Sequence, residues 1–403
     1  MRSLRILILS PFPPRRDARH GGARSIGYRI ERLARNHDVS LVYLHGANDP
    51  PLEAALADAC ANVVAVDRST SEGSAAMARG RRGLPRIFWQ AWRGTPVWAQ
   101  ALASSAVVEA VSQLSERVHP EIVQVEYQVM GQFLDGDRNA PSVLVIHEPA
   151  ARVAENFAAT RSGALRLLNA ADRSAWLRFE RRVVDRADQV VVFSDEDASA
   201  VRAGSPPAVV PLTVPLPHEP SDPIGSDPPS MLFVGNYGHP PNVDAAFWLA
   251  REIFPRVREL HPSACLWIVG ENPPAALVAL GIDGVEVTGG VPEVTPWLDR
   301  AAVFVAPIRM GGGVRMKVVE ALAAGKAIVS TSRGVAGLRL AGGEVRIADS
   351  AAAFSDEVNE LLGAPKQRQE LGERARRWAE EAFDGERESR AYEVLYERLL
   401  GSS

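Results

Sequence analysis

Residues 307–325, PIRMGGGVRMKVVEALAAG, decide the fold of the second half of the chain. An apolar run, AVFVA at 302–306, precedes the triplet Gly311, Gly312 and Gly313, and a helical pattern follows the triplet. This order of strand, glycine loop and helix is typical of parallel sheets. The backbone N–H groups at such a helix start favour an anion.

The helix predicted over 315–324 opens with two cations, Arg315 and Lys317, although the helix dipole alone favours acidic side chains there. We interpret the two cations as the partners of a bound anion. Glu320 follows Lys317 by three residues and shares its face. A ligand with phosphate and hydroxyl groups, such as a nucleoside diphosphate with its ribose, suits this polar face.

Length and composition restrict the class of protein. With 403 residues the chain is long enough for two domains. Its net charge of −4 shows no excess of basic side chains that would bind nucleic acid. Cys60 and Cys265 lie far apart in apolar contexts, so we expect no disulfide and a reducing compartment. The apolar run near the start is shorter than that of a signal peptide, and no run approaches the ~20 residues of a spanning helix. We therefore expect a cytoplasmic protein.

Short apolar runs alternate with helical patterns along the whole chain, which predicts parallel sheets joined by crossover helices. We expect two doubly wound, Rossmann-like α/β domains at 1–204 and 231–385, joined by a proline-rich linker at 205–230. A separate amphipathic helix at 386–403 is a candidate to pack back on the first domain. The predicted strands are 5–9, 39–44, 62–66, 122–126, 142–146, 189–193, 231–234, 264–269, 285–288, 302–306, 327–330 and 344–347.

Ligands of open parallel sheets bind beyond the carboxyl ends of the strands. In the second half these ends carry glycine and asparagine, and a glycine pair before Val291 leaves room for a nucleotide base to touch the backbone. A tight turn explains each end singly, but four such ends in one domain indicate a nucleotide pocket. We also expect Asn242 to cap the helix after the first of these loops. Besides the glycine triplet, the candidates are Gly235, Asn236, Gly270 and Val291.

The first half contributes two further candidates. Gly21 and Gly22 lie after the first predicted strand, where they allow close approach of a substrate or of the facing domain; a flexible loop before a helix explains them equally well. His147 directly follows a predicted strand, and it can donate a hydrogen bond or titrate near neutrality there. We favour a functional role for His147 because of this position. His20 and His239 lie in loops and are weaker candidates.

Two other motifs have competing interpretations. Asp135-Gly136-Asp137 matches the D-x-D pattern that holds a metal on a nucleotide-sugar diphosphate, but Asp-Gly is also a turn signal. We interpret it as a turn and expect no metal. Residues 79–98 interleave arginines with four aromatic residues. Peripheral contact with a membrane or an acceptor and burial of an amphipathic helix both fit this pattern, and we favour burial.

Together these residues resemble glycosyltransferase family 4, a group of retaining enzymes with the GT-B fold. The likeness covers nearly the whole chain. Its most specific part is GGGVRMKVVEALAAGKAIVST at 311–331. The weaker matches are Gly21-Gly22, His147, Gly235, the strand ending at Gly270, and Gly289-Gly290-Val291.

The resemblance implies two Rossmann-like domains facing across a cleft, with the donor nucleotide sugar on the second and the acceptor mainly on the first. Glu320 would bind the ribose hydroxyls, and Arg315 and Lys317 would neutralise the leaving diphosphate. The glycine triplet would offer backbone amides to the transferred sugar or its phosphate. His147 would contact the donor sugar near the reacting carbon.

The chain also departs from the family pattern. Many members have two glutamates seven residues apart; Glu320 matches the second, and Gly312 replaces the first. Asn236 and His239 stand where a basic residue is often found. We expect a metal-independent, retaining glycosyltransferase, with the sugar, nucleotide, acceptor and oligomeric state left open. A nucleotide-sugar epimerase, a phosphorylase-like enzyme and a non-catalytic nucleotide-binding protein remain alternatives.

Overall fold

The computed structural model describes residues 2–18, 21–47, 49–70, 89, 93–134, 140–153, 165–225 and 227–401. The chain divides into two compact units, each with its own parallel sheet. The first unit comprises Met1–Leu212 and Gly385–Ser403, and the second comprises Thr213–Asp384.

The first unit is built on seven parallel strands in the order β3-β2-β1-β4-β5-β6-β7. The strands are β1 (Arg5–Ser10), β2 (Asp38–His45), β3 (Asn62–Asp67), β4 (Ile122–Glu126), β5 (Ser142–Val145), β6 (Gln189–Val192) and β7 (Ala208–Val209). The central strands are continuous apolar runs because helices cover both faces of a doubly wound sheet.

The second unit is built on six parallel strands in the order β10-β9-β8-β11-β12-β13. The strands are β8 (Ser230–Val234), β9 (Cys265–Val269), β10 (Val285–Gly289), β11 (Val303–Ala306), β12 (Ile328–Ser330) and β13 (Arg346–Ile347). The strand order reverses between β8 and β11, so their carboxyl ends form the point where such sheets bind ligands.

Helices connect the strands of both sheets. In chain order they are α1 (Gly21–Leu33), α2 (Ala54–Ala59), α3 (Val97–Leu102), α4 (Ser105–Val118), α5 (Leu165–Val184), α6 (Asp195–Ala200), α7 (Pro240–Trp248), α8 (Phe254–Leu260), α9 (Ala275–Val278), α10 (Thr295–Arg300), α11 (Met316–Ala323), α12 (Ala351–Gly363), α13 (Pro365–Ala382) and α14 (Gly385–Gly401). A π-helical stretch, Leu249–Ile253, joins α7 to α8.

The last helix, α14, contacts α1 within the first unit. Its apolar spacing explains this packing, because Tyr392, Leu395 and Tyr396 lie on one face and are buried. Val394 lies on the opposite face and is exposed.

Every predicted strand is present, with boundaries within two residues of those expected. The two doubly wound α/β sheets are thus confirmed. One strand, β7, was not predicted because prolines surround it. It lies at the edge of the first sheet, where prolines are tolerated.

Two local predictions were wrong. Gly21 and Gly22 are the first residues of α1 and not a loop before it. Asn242 does not cap α7, which begins at Pro240 and is preceded by His239. The helix starts earlier than expected because prolines fit the first helical turn, where their missing N–H groups are not needed.

Among the helices in the described part of the chain, none combines the length and the apolar composition needed to cross a bilayer.

Candidate active site

The strand ends chosen from the sequence lie side by side along one edge of the second sheet. The N–H of Gly235 donates to the carbonyl of Val269 at 2.9 Å, and the N–H of Gly270 donates to the carbonyl of Gly289 at 3.0 Å. Val291 follows the last of these ends and packs half-buried against the core of the unit. The ends of β8, β9 and β10 therefore form a continuous rim beside β11.

The glycine triplet leads from β11 into α11. Gly311 and Gly313 have φ angles of +92° and +73°, in the left-handed region where a side chain is strained. The Arg315 guanidinium folds back on this loop: it donates to the carbonyl of Gly312 and, at 3.2 Å, to that of Met310. The loop thus holds a cation directly at the helix start.

Lys317, in the first turn of α11, reaches across to the first turn of α7, which follows the loop after β8. Its Nζ donates to Asn242 Oδ1 at 2.6 Å and lies 4.6 Å from the centre of the Phe233 ring. Asn242 in turn donates to the carbonyl of Asn236 at 2.7 Å. A Cβ at Gly235 would stand 3.1 Å from Lys317 Nζ, so the glycine lets this cation approach. The loop after β8 and the start of α11 form one cluster.

Three basic side chains crowd together in this cluster. Burial, and then the charge of Arg315, lower the pKa of Lys317 from its ordinary 10.5 to about 7, although Glu320 acts in the opposite direction. The pKa of His239 falls to about 4 through desolvation and through the charges of Arg315 and Lys317. Cations close together at a helix start favour the binding of an anion.

Glu320 lies one turn along α11 from Lys317, half-buried, as the spacing predicted. Asn242 and His239 extend the cluster beyond the sequence-based candidates. Asn242 was expected only as a helix cap, and His239 as a weak candidate in a loop. The sequence places both near the end of β8, but the hydrogen bond from Lys317 to Asn242 and the effect of the Arg315 and Lys317 charges on His239 are visible only in the structure.

In the first unit, His147 lies just beyond β5 and contacts the last residue of β4. His147 Nε2 is 2.8 Å from Glu126 Oε2. The Tyr127 ring stacks on the imidazole with centres 3.9 Å apart, and Phe193 approaches it edge-on at 5.0 Å. A Cβ at Gly22 would stand 1.9 Å from Tyr127 Oη, so the start of α1 packs closely against the aromatic partner of His147.

Glu126 is completely buried and ionised. Burial alone favours its protonated form, but Arg29 and His147 outweigh burial and hold its pKa at about 2. Burial lowers the pKa of His147, against the effect of Glu126. Both shifts favour an ionised carboxylate beside a neutral imidazole at pH 7. The sequence analysis missed Glu126 because it reads as the end of a buried strand.

Several sequence-based candidates lie outside the described residues: His20, Asp135-Gly136-Asp137, and residues 79–88 and 90–92. Within the segment 79–98, Trp98 packs between Tyr127 and Trp176, with ring centres 5.6 and 6.1 Å away. Trp98 is half-buried and packs against the core of the first unit, while Trp89 is exposed.

Comparison with known proteins agrees with this geometry. Residues 228–364 match the protein family described as Glycosyl transferases group 1. A curated relative, the phosphatidyl-myo-inositol mannosyltransferase of Propionibacterium freudenreichii subsp. shermanii, is 26% identical over 169 residues. That match spans 39% of this chain and 42% of the relative, so it covers less than half of the relative's length.

Solved structures match over almost the whole chain. Sucrose-phosphate synthase from Thermosynechococcus elongatus superposes with a TM-score of 0.71 at 17% identity, covering 99% of this chain and 100% of that one. HepE from Anabaena in complex with UDP has a TM-score of 0.64 at 12% identity, with coverages of 98% and 100%. HepE in complex with UDP-glucose scores 0.61 at 12% identity, with coverages of 97% and 99%.

These similarities confirm the GT-B fold. The match of residues 228–364 to the glycosyl transferases group 1 family supports the prediction of a glycosyltransferase.

Proposed function

We propose that the protein transfers a sugar from a nucleoside diphosphate sugar to an acceptor that is a glycan, a lipid-linked sugar or a small molecule. The observation that carries this proposal is the pair Arg315 and Lys317 at the start of α11, whose charges, after desolvation, lower the pKa of the nearby His239. A bound diphosphate supplies the negative charge that stabilises Arg315 and the protonated form of Lys317. The donor class agrees with HepE, which was solved with UDP and with UDP-glucose.

Each residue of the donor site has a role that follows from its chemistry. Arg315, Lys317 and the amides of the glycine loop bind the diphosphate and stabilise its charge as it leaves. Glu320 binds the ribose hydroxyls, in line with the family resemblance. Fixed cations at a helix start supply this stabilisation without a metal, so we propose a metal-independent reaction.

The reaction proceeds with retention at the anomeric carbon, a property that rests on the family resemblance. His147 contacts the donor sugar near that carbon. Gly312 replaces the first glutamate of the family pattern, so the side chain that would select the sugar is absent. The donor sugar is therefore the open part of the proposal.

A thermal-shift screen of UDP, GDP and ADP and of their common sugar conjugates tests the donor site. A ligand at about 100 times its Kd stabilises the folded protein by about 2.7 kcal/mol. We expect one nucleoside diphosphate to raise Tm in the wild type and in the control variant Lys366→Ala, which alters an exposed lysine on α13. We expect little rise in Lys317→Ala. If no nucleotide raises Tm, or if Lys317→Ala responds like the wild type, the site assignment is wrong.

Product analysis with the donor so identified separates the alternatives. Transfer to an acceptor supports the proposal. Conversion of the donor sugar without any acceptor indicates an epimerase, and dependence on inorganic phosphate indicates a phosphorylase. Nucleotide binding without any turnover across a broad set of acceptors indicates a non-catalytic protein.

A further inference from the structure

We propose that Glu126 is a positioning residue for His147, and that the C-terminal helix α14 holds Glu126 in place through Arg29 and Gln124. This rests on the proposed function, because it assigns the state in which His147 meets the sugar. Both the histidine and the helix belong to the first unit.

Glu126 is the centre of a buried polar network. Its Oε1 accepts from Arg29 Nη1 at 2.8 Å and from Gln124 Nε2 at 2.7 Å, while its Oε2 is 2.8 Å from His147 Nε2. Glu126 and Gln124 are wholly inaccessible to solvent, and Arg29 is 2% exposed. Both carboxylate oxygens are therefore fixed by protein groups that water does not replace.

Helix α14 contacts both groups that hold Glu126 on its far side. Glu388 Oε1 lies 3.4 Å from Arg29 Nη2, and the Tyr392 ring lies 4.9 Å from the Arg29 guanidinium carbon. Tyr396 Oη donates to Gln124 Oε1. The last helix of the chain is thus connected to His147 through two side chains and one carboxylate.

The charges within this network balance. Arg29 lies between Glu126 and Glu388, and the second oxygen of Glu388 is 2.5 Å from Arg32 Nη1. Two guanidinium groups therefore face two carboxylates, and Glu126 stays ionised. An ionised carboxylate only accepts hydrogen bonds, so the proton of the neutral imidazole must be on Nε2.

This assignment leaves Nδ1 of His147 as a hydrogen-bond acceptor. The stacked Tyr127 ring and the edge of Phe193 restrict rotation of the imidazole. His147 is therefore prepared to accept a hydrogen bond from a sugar hydroxyl, and not to donate one. The ligand chemistry that suits the first unit here is a hydroxyl group next to the reacting carbon.

We expect the variant Glu126→Gln to reverse the tautomer of His147. Its amide oxygen must face Arg29 and Gln124, which offer only N–H groups to this position, so its amide N–H₂ faces His147. The imidazole must then accept at Nε2 and carry its proton on Nδ1. Glutamine has nearly the same shape as glutamate, so a change in the His147 tautomer would not arise from altered packing.

The test is ¹⁵N NMR of the His147 imidazole in the full chain, together with kinetics and nucleotide thermal shifts. We expect protonated Nε2 in the wild type and protonated Nδ1 in Glu126→Gln. We expect kcat to fall about 10- to 100-fold, by analogy with other supporting residues, with an unchanged KM for the donor. A wild-type protein with the proton on Nδ1 overturns the proposal, even if the variant does not fold.

A matched pair of variants on α14 tests the role of the helix. Glu388→Gln weakens the contact with Arg29, whereas Glu393→Gln alters a similarly buried glutamate that lies near Asn36 and His37. We expect Glu388→Gln alone to shift the His147 resonances and lower kcat. Equal effects of the two variants overturn the part of the proposal that concerns α14.

The readouts distinguish this proposal from the proposed function. If the protein binds a nucleotide and transfers sugar but the tautomer is unchanged in Glu126→Gln, only the positioning proposal is wrong. If the tautomer inverts as expected but no donor binds or reacts, only the sugar-transfer proposal is wrong.

Discussion

The two units differ in how the charges of their buried side chains are compensated. In the first unit, Arg29 lies between two carboxylates, and its charge is balanced inside the protein. In the second unit, Lys317 is held by the amide oxygen of Asn242 and the face of Phe233, and burial, followed by the charge of Arg315, lowers its pKa. The protein itself balances the first cluster, and we propose that a bound anion adds negative charge to the second.

This difference is the one expected between a positioning network and a ligand site. A balanced cluster of charges fixes geometry, and removing one member leaves another charge buried without compensation. A crowded cluster of like charges stores unfavourable energy that a ligand relieves. The same residue types therefore have different uses in the two units, and the balance of charge around them shows which.

The largest expected effect is on stability in the first unit. Glu126→Ala leaves Arg29 and His147 without their shared acceptor, so the free energy of unfolding falls by about 3–5 kcal/mol. Chemical denaturation of the full chain measures this change. The control Glu109→Ala alters an exposed glutamate on α4 and changes the free energy by less than about 1 kcal/mol. Similar losses in both variants would show that the network does not stabilise the unit.

The next effect is on catalysis in the second unit. Lys317→Ala and Glu320→Ala each lower kcat by about 10²–10³-fold, or about 3–4 kcal/mol, because each removes a preorganised contact to the donor. Steady-state kinetics measure the loss. Lys366→Ala and Glu373→Ala alter exposed residues of α13 and serve as controls. Turnover like that of the wild type in the two site variants would show that the donor site is not at α11.

A smaller effect concerns the stability of the ligand-free protein. Lys317→Met removes a cation from the crowded cluster, so we expect Tm at pH 6.5 to rise by about 2–4 °C. The folded-state pKa of Lys317 is about 7, below its ordinary 10.5, so the unfolded chain binds more protons between these values. The cost of the charged lysine is complete below pH 7 and is lost as the pH rises from 7 to 10.5. The advantage of the variant should shrink over that range.

Thermal melts at pH 6.5 and pH 9.5 check this pH dependence. Lys366→Met is the control, and its Tm should differ from that of the wild type by the same small amount at both pH values. A variant Lys317→Met that is less stable than the wild type at pH 6.5 would contradict the interpretation of the cluster as repulsive.

The smallest expected effect is the uptake of protons when the ligand binds. A bound diphosphate raises the pKa of Lys317, so binding at pH 7 takes up about half a proton. Isothermal titration calorimetry in buffers of different ionisation enthalpy measures this uptake. It should vanish in Lys317→Met, if binding remains measurable. Uptake that persists in this variant would assign the titrating group elsewhere, with His239 as the next candidate.

Local patterns predicted the strands and the position of several candidate residues in the second unit. The apolar runs, the glycine triplet and the spacing of Arg315, Lys317 and Glu320 are features of neighbouring residues, and the structure places them as expected. A local pattern also gave one wrong prediction, the helix cap at Asn242. Helix α7 begins at the pair of prolines before Asn242, three residues earlier than a cap at Asn242 allows. Here turn chemistry and helix chemistry compete over a few residues.

The partners of the site residues were not predictable in this way. Asn242 and Lys317 are 75 positions apart, Glu126 and Arg29 are 97 apart, and Arg29 and Glu388 are 359 apart. No periodicity or motif connects residues at such separations. Glu126 in particular resembles any polar residue at the end of a strand.

The sequence by itself determined the order of strands and helices, the two parallel sheets and the combination of glycines and cations at 311–317, because these follow from periodicity and from the identity of a few neighbouring residues. Only the tertiary structure decided which charges face each other. Coulomb interactions depend on distance in space, so the fold alone made Arg29 part of a balanced network and Lys317 part of a cluster of like charges.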